Sequence, residues 1–166
     1  MALSADKDIK RRGTMNLRYG VKGLYDTGGG TGSNVIFKGA AVVSDPTYGG
    51  LLKVTPLTGQ TFMGIATQAK TLVNGAVAGR STTIELKYEI GGLYCFKSSG
   101  TNVVTVADIG KVALLVDDET VTITADEAGS GGNDDIPIGI VEDVDTEGVW
   151  VDTSRIIPIA TSVRGA

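Results

Sequence analysis

Residues 101–124, TNVVTVADIGKVALLVDDETVTIT, and residues 136–152, IPIGIVEDVDTEGVWVD, decide the fold class, because each reads as a β-hairpin. In the first, Val112–Val116 and Val121–Thr124 are short runs rich in β-branched and aliphatic residues. Asp117-Asp118-Glu119-Thr120 lies between them, with side chains that favour turns. Such a turn is expected to be polar and exposed. In the second, Ile136, Ile138, Ile140 and Val144 recur at even spacing and so are expected to share one face. The chain then reverses at Asp145-Thr146-Glu147-Gly148 and returns as Val149-Trp150-Val151, with Gly148 at a position that suits positive φ. Upstream, Thr105-Val106-Ala107-Asp108-Ile109-Gly110 has the order of a single helical turn. Thr105 is its N-cap, Asp108 stands three residues on at the positive helix end, and Gly110 is its stop.

Working outward, the cleanest alternation is at Ile84, Leu86, Tyr88 and Ile90, which point inward while Thr83, Glu85, Lys87 and Glu89 point out. Gly91-Gly92 then leads to Leu93–Phe96, giving either a tight hairpin or one strand bent at the glycines. Val35–Val43 and Leu51–Leu57 form a hairpin-like pair with a long connection, and Gly64 in the run Gln60–Ala69 marks a bulge. Thr71–Ser81, holding Gly75 and Gly79, reads as a loop, as does the low-complexity stretch 125–135, ADEAGSGGNDD.

A chain of 166 residues with 24 glycines, 4 prolines and no long helical period fits one all-β domain. The expected fold is a compact β-barrel or β-sandwich of short antiparallel strands, with one short helix and an extended N-terminal arm. Residues 1–34 form the arm and its glycine-rich hinge, 35–154 the β-domain, and 155–166 a tail. In the tail, the proline within Ile156-Ile157-Pro158-Ile159 confines that run to an edge or a contact.

Charge separates these parts. Residues 1–22 hold six cations against two acids, whereas residues 112–154 hold twelve acids and neither Lys nor Arg, within a net charge of −4. No apolar leader precedes a cleavage site, and no stretch approaches the roughly 18 apolar residues of a spanning helix, so a cytoplasmic protein without a membrane partner is expected.

Several function classes lose ground on composition. The absence of histidine removes Ser-His, Cys-His and His-rich zinc chemistry, and the single Cys95 sits in an apolar run as a small buried hydrophobe. Gly28-Gly29-Gly30-Thr31-Gly32-Ser33 lacks the lysine of a phosphate loop and reads as a linker. Asp143-Val144-Asp145-Thr146-Glu147-Gly148 mimics the start of a calcium loop. Ser154, however, occupies the position of its bidentate glutamate, so a hairpin turn is preferred and no metal or other cofactor is expected. Asp117-Asp118 and Glu142-Asp143 read as a solvated acidic face, because nothing in the sequence marks either pair as desolvated for acid–base work. Lys10-Arg11-Arg12 has no interleaved aromatic residues, and the acidic body opposes nucleic-acid binding. Trp150 reads as a core or subunit-interface anchor.

The runs TVADIGKVALLVDDETVT and IGIVEDVDTEGVWV, with the opening MALSADKDIKRRG and more loosely FKGAAVV, FMGIATQA and YEIGGLYCF, resemble the head decoration, or capsid cement, proteins of tailed bacteriophages. The resemblance implies a non-enzymatic structural protein on the exterior of the virion head, assembled in the host cytoplasm. It would bind the major capsid protein as a homotrimer and stabilise the shell. Capsid contacts would then fall on Lys7, Ile9, Lys10, Arg11, Arg12, Leu17 and Arg18 of the arm, and subunit contacts on Trp150, Ile156 and Ile157. The insert RYGVKGLYDTGGGTGSN departs from the shorter family pattern and lengthens the first part of the chain. The alternative is a receptor- or carbohydrate-binding β-module of a phage tail. A carboxylate-and-metal hydrolase ranks last.

Overall fold

A computed structural model describes residues 11–12, 18–26, 33–44, 50–54, 59–73, 79–125 and 135–155. Among these the chain is all β, with two single 3-10 turns and no longer helix. In chain order the strands are β1 (Arg11–Arg12), β2 (Arg18–Asp26), β3 (Ser33–Ile36), β4 (Ala41–Ser44), β5 (Leu51–Lys53), β6 (Thr61–Ala66) and β7 (Lys70–Val73). They continue as β8 (Gly79–Ile90), β9 (Leu93–Ser98), β10 (Val112–Leu115), β11 (Thr120–Thr122), β12 (Pro137–Val144) and β13 (Val149–Asp152).

Two curved sheets share these strands. The first is a closed barrel in the order β2-β5-β4-β6-β8. The second runs β1-β9-β11-β10-β12-β13 and curls until β13 also pairs with β9. Strands β3 and β7 form a separate antiparallel pair. Curling in both sheets limits the open edge that each strand would otherwise present.

The apolar pattern follows from this arrangement. Strands β4 and β5 are buried on both faces, so their residues read as the unbroken runs Ala41-Val42-Val43 and Leu51-Leu52. Ala41, Val43 and Leu52 join Phe62, Ile65, Tyr94, Phe96, Leu115, Ile138, Val149 and Val151 in a core shared by the barrel and the curled sheet. Val42 and Leu51, on the opposite faces, join Ile36, Ala40, Ala66 and Leu86 in a second core.

The alternation that begins at Ile84 connects these cores. Ile84, Leu86 and Tyr88 pack with the second core, whereas Ile90, Tyr94 and Phe96 pack with the first. The chain bends at Gly91-Gly92 and passes from one sheet to the other as a single bent path, and it forms no tight hairpin there. The N-terminal segment follows it antiparallel: Arg18 pairs with Ile90 in the barrel, and Arg12 pairs with Leu93 in the curled sheet.

This corrects the reading of residues 1–34 as an arm. Arg18–Asp26 is a nine-residue barrel strand, and Gly20 and Gly23 interrupt the side-chain alternation that would have shown it. The loop expected over Thr71–Ser81 likewise begins inside β7 and ends inside β8. The expected run Val35–Val43 is broken by a turn at Lys38-Gly39, so β3 pairs with β7 while β4 pairs with β5.

Both expected hairpins form. Leu114 faces Thr122 and Leu115 faces Val121 in the first, and Val144 faces Val149 in the second. The bulge at Gly64 also forms: Val42 pairs with Gly64 and Val43 with Phe62, leaving Met63 as the extra residue. That extra residue is why Phe62 and Ile65, an odd number apart, both face the shared core.

A similar irregularity overturns part of the second hairpin's reading. Ala113 pairs with Gly139 but Leu114 with Pro137, so Ile138 is the extra residue on β12. Val141 therefore enters the shared core with Ile136 and Ile138, and Ile140, though buried, lies outside it.

Candidate functional site

The loop between β9 and β10 is held from both ends. Ser98 Oγ accepts the Val104 N–H at 2.8 Å, and Ser99 Oγ accepts the Thr101 N–H at 3.2 Å. The expected helical turn is present as a 3-10 turn over Val106–Asp108. Asp108 closes it, because Oδ2 accepts the Thr105 N–H at 2.8 Å and the Thr105 hydroxyl at 2.9 Å, while Oδ1 accepts from Lys111 Nζ at 2.8 Å. The Gly110 N–H then donates to the Val141 carbonyl at 2.8 Å and the Val141 N–H to the Lys111 carbonyl at 2.9 Å, tying the loop to β12. Buried Val104 anchors the loop in the shared core.

On this fixed frame Val103, Val106 and Ile109 are 61%, 67% and 48% exposed, and they are the exposed large hydrophobic residues among those described. Isolated exposed valines are ordinary, but here three large aliphatic side chains are exposed on one hydrogen-bonded loop. Its single ionisable group from Ser99 to Gly110 is Asp108, whose carboxylate is spent on the turn. The sequence reading recognised the turn and missed this surface. The available signal was three aliphatic residues at a spacing of three around a capped turn, with two of them inside or beside that turn and no partner strand for them.

The Lys111 ammonium, followed by the Thr105 N–H and hydroxyl, holds the Asp108 carboxyl down at about 2. An unfolded aspartate titrates near about 3.9. The contribution of this group to the loop is therefore complete above that value and is lost as pH falls through about 2. Carbon-detected carboxyl titration should give a midpoint of about 2 for Asp108, rising in Lys111→Met. An unchanged midpoint in that variant would show that the backbone donors alone set it.

The residues expected to make contacts are distributed differently. Arg11 and Arg12 lie on β1, paired through their backbones with Tyr94 and Leu93, and Arg18 opens barrel strand β2. Lys7, Ile9, Lys10, Leu17, Ile156 and Ile157 lie outside the described residues. Trp150 is 2% exposed within its own chain, opposite Cys95 in the register, and its indole N–H donates to Asp145 Oδ2 at 3.0 Å. The core half of its expected role is the one the packing supports, because almost no surface is left for another subunit.

The calcium-like run is a hairpin turn. Asp145 Oδ1 accepts the Glu147 N–H at 2.8 Å, and the Asp145 N–H donates to the Gly148 carbonyl at 3.0 Å. Gly148 has φ +150°, where an added Cβ would collide with the Phe96 carbonyl. Among the described residues no group of three or more Cys, Asp or Glu is arranged to hold a metal ion.

The acids are not a uniform solvated face. Glu142 pairs with Arg155 at 2.6 Å, and Asp152 Oδ1 accepts from the Ser154 hydroxyl at 2.6 Å. The turn expected to be exposed at Asp117–Thr120 is instead buried at Asp118 and Glu119, which are 1% and 4% exposed. Its position against both sheets is the cause. The Ala41 N–H donates to the Asp118 carbonyl at 2.7 Å, and the Lys97 N–H to the Glu119 carbonyl at 2.9 Å.

No family model matches the chain, and comparison with curated proteins and with solved structures finds no match.

Proposed function

We propose that this protein is a non-enzymatic decoration protein that attaches to the outer surface of a bacteriophage head and stabilises the shell. The observation that carries this reading is the rigid loop displaying Val103, Val106 and Ile109. It is preorganised for contact, so little ordering entropy opposes binding there. The sequence resemblance to capsid cement proteins points the same way. The burial of Trp150 removes an aromatic platform from the rival sugar-binding reading.

In this proposal the apolar loop and the cationic residues Lys7, Lys10, Arg11, Arg12 and Arg18 face the major capsid protein, with Ile9 and Leu17 beside them. The cations mainly guide approach, since exposed ion pairs contribute about 0–1 kcal/mol each. Ile156 and Ile157 are the proposed contacts between three copies around a local three-fold axis, where neighbouring sites raise the effective concentration.

Sedimentation with purified expanded heads tests this. Replacing Val103, Val106 and Ile109 together by serine should change stability by roughly 0.5 kcal/mol or less per site. The same variant should lower head occupancy about tenfold or more. Deleting residues 2–10 should likewise spare the melting temperature and weaken attachment. Wild-type occupancy in both variants would place attachment elsewhere on the body. Wild-type protein that ignores heads but binds host cells would favour the tail-module reading.

A further inference from the structure

The Val116–Thr120 turn joins β10 to β11, yet its backbone is bonded to strands of both sheets. The Asp118 carbonyl accepts from Ala41 of β4, the Glu119 carbonyl from Lys97 of β9, and the Thr120 carbonyl from Val116 within the turn. The side chains repeat the pattern. Glu119 Oε1 lies 2.5 Å from Lys97 Nζ, and Asp118 Oδ2 lies 3.9 Å from Lys53 Nζ of β5. Asp117 Oδ1 accepts the Glu119 N–H at 3.0 Å and fixes the turn's shape. Two carboxylates at 1% and 4% exposure therefore sit where a barrel meets a curled sheet.

We propose that this turn is an acid-sensitive clasp, docked on β4 and β9 while Asp118 and Glu119 are ionised and undocked when they are protonated. The charged groups facing it among the described residues are Asp117, Asp118 and Glu119 of the turn itself, Lys53 from β5 and Lys97 from β9. Strands β4, β10 and β11 present no ionisable side chain to it. Protonating Glu119 discharges its pair with Lys97, and protonating Asp118 removes the charge that faces Lys53. Each removes an ion pair that holds the turn against a strand, and the lysines, 57% and 33% exposed, are then solvated by water.

The opening is local. The apolar core shared by Val43, Leu52, Phe62, Tyr94, Phe96 and Val121 does not titrate and keeps the two sheets together. What opens is the edge of β9 at Lys97 and the Ala41 end of β4, a sub-global event of the kind that hydrogen exchange resolves.

Amide exchange on the full-length protein, corrected for the chemical effect of pH, tests the proposal. Between pH 7 and pH 3, below the ordinary carboxylate range of about 4, the Ala41 and Lys97 amides should lose about tenfold or more of their protection. Over the same range Val141, bonded to Lys111, should keep its protection. In the double variant Asp118→Asn, Glu119→Gln that pH dependence should fall to the smaller part that Asp117 supplies through its bond to the backbone of residue 119. Should the variant fail to fold, carbon-detected titration of Asp118 and Glu119 in the wild type must share its midpoint with the loss of protection. Protection that is independent of pH, that is lost at Val141 together with the clasp, or that keeps its full pH dependence in the variant would each overturn the proposal.

Discussion

Trp150→Ala is expected to cost about 3–5 kcal/mol, a large part of the roughly 5–15 kcal/mol that holds a domain folded. The indole is 2% exposed, and it alternates with Val149 and Val151, so it is buried on the face of β13 opposite the shared core. Truncation leaves a cavity there. It also removes a donor from Asp145, whose other oxygen organises the hairpin turn through the Glu147 and Gly148 amides. Trp150→Phe separates these effects, because it keeps most of the apolar volume and loses the 3.0 Å bond. It should cost about 1–2 kcal/mol. Denaturant unfolding followed by circular dichroism measures both. A loss below about 1 kcal/mol for the alanine variant would mean that the site collapses or that water already reaches it.

Gly64→Ala is expected to destabilise the barrel by about 2–5 kcal/mol, combining backbone strain with overpacking. Gly64 has φ +144°, and a Cβ at that position would collide with the carbonyl of Glu89 and meet Tyr88 Cδ2 at 3.0 Å. The obstacle is backbone of the adjacent strand, which cannot rotate away as a flexible side chain can. Ile65 pairs with Glu89 beside it, so relief requires the β6–β8 pairing that helps close the barrel to shift. The matched control is Gly100→Ala, on the loop after β9, where an added Cβ meets nothing within 4 Å. Equal stability losses at the two sites would refute this account of the bulge.

Short-range features are legible in the sequence. The turn at Asp145–Gly148, the Thr105–Asp108 cap and the alternation from Ile84 to Ile90 depend on residues close in sequence, whose turn chemistry and period act locally. The polar turn at Asp117–Thr120 was legible as a turn and illegible as a buried one. Its burial depends on Ala41 and Lys97, tens of residues away in the chain. The apolar loop at Val103–Ile109 was hidden for the converse reason. Valine and isoleucine ordinarily signal core, and only their exposure in the folded chain sets these three apart.

The sequence by itself determined that this protein is all β, where its two C-terminal hairpins turn, and that a capped helical turn precedes the first of them. Only the tertiary structure decided that residues 18–26 belong to a barrel, that β9 pairs with β1, β11 and β13, and that Val141 takes the core place expected of Ile140. The physical reason is the period of two in a β-strand: one bulged residue exchanges its faces, and strand partners are chosen by contacts far apart in the chain.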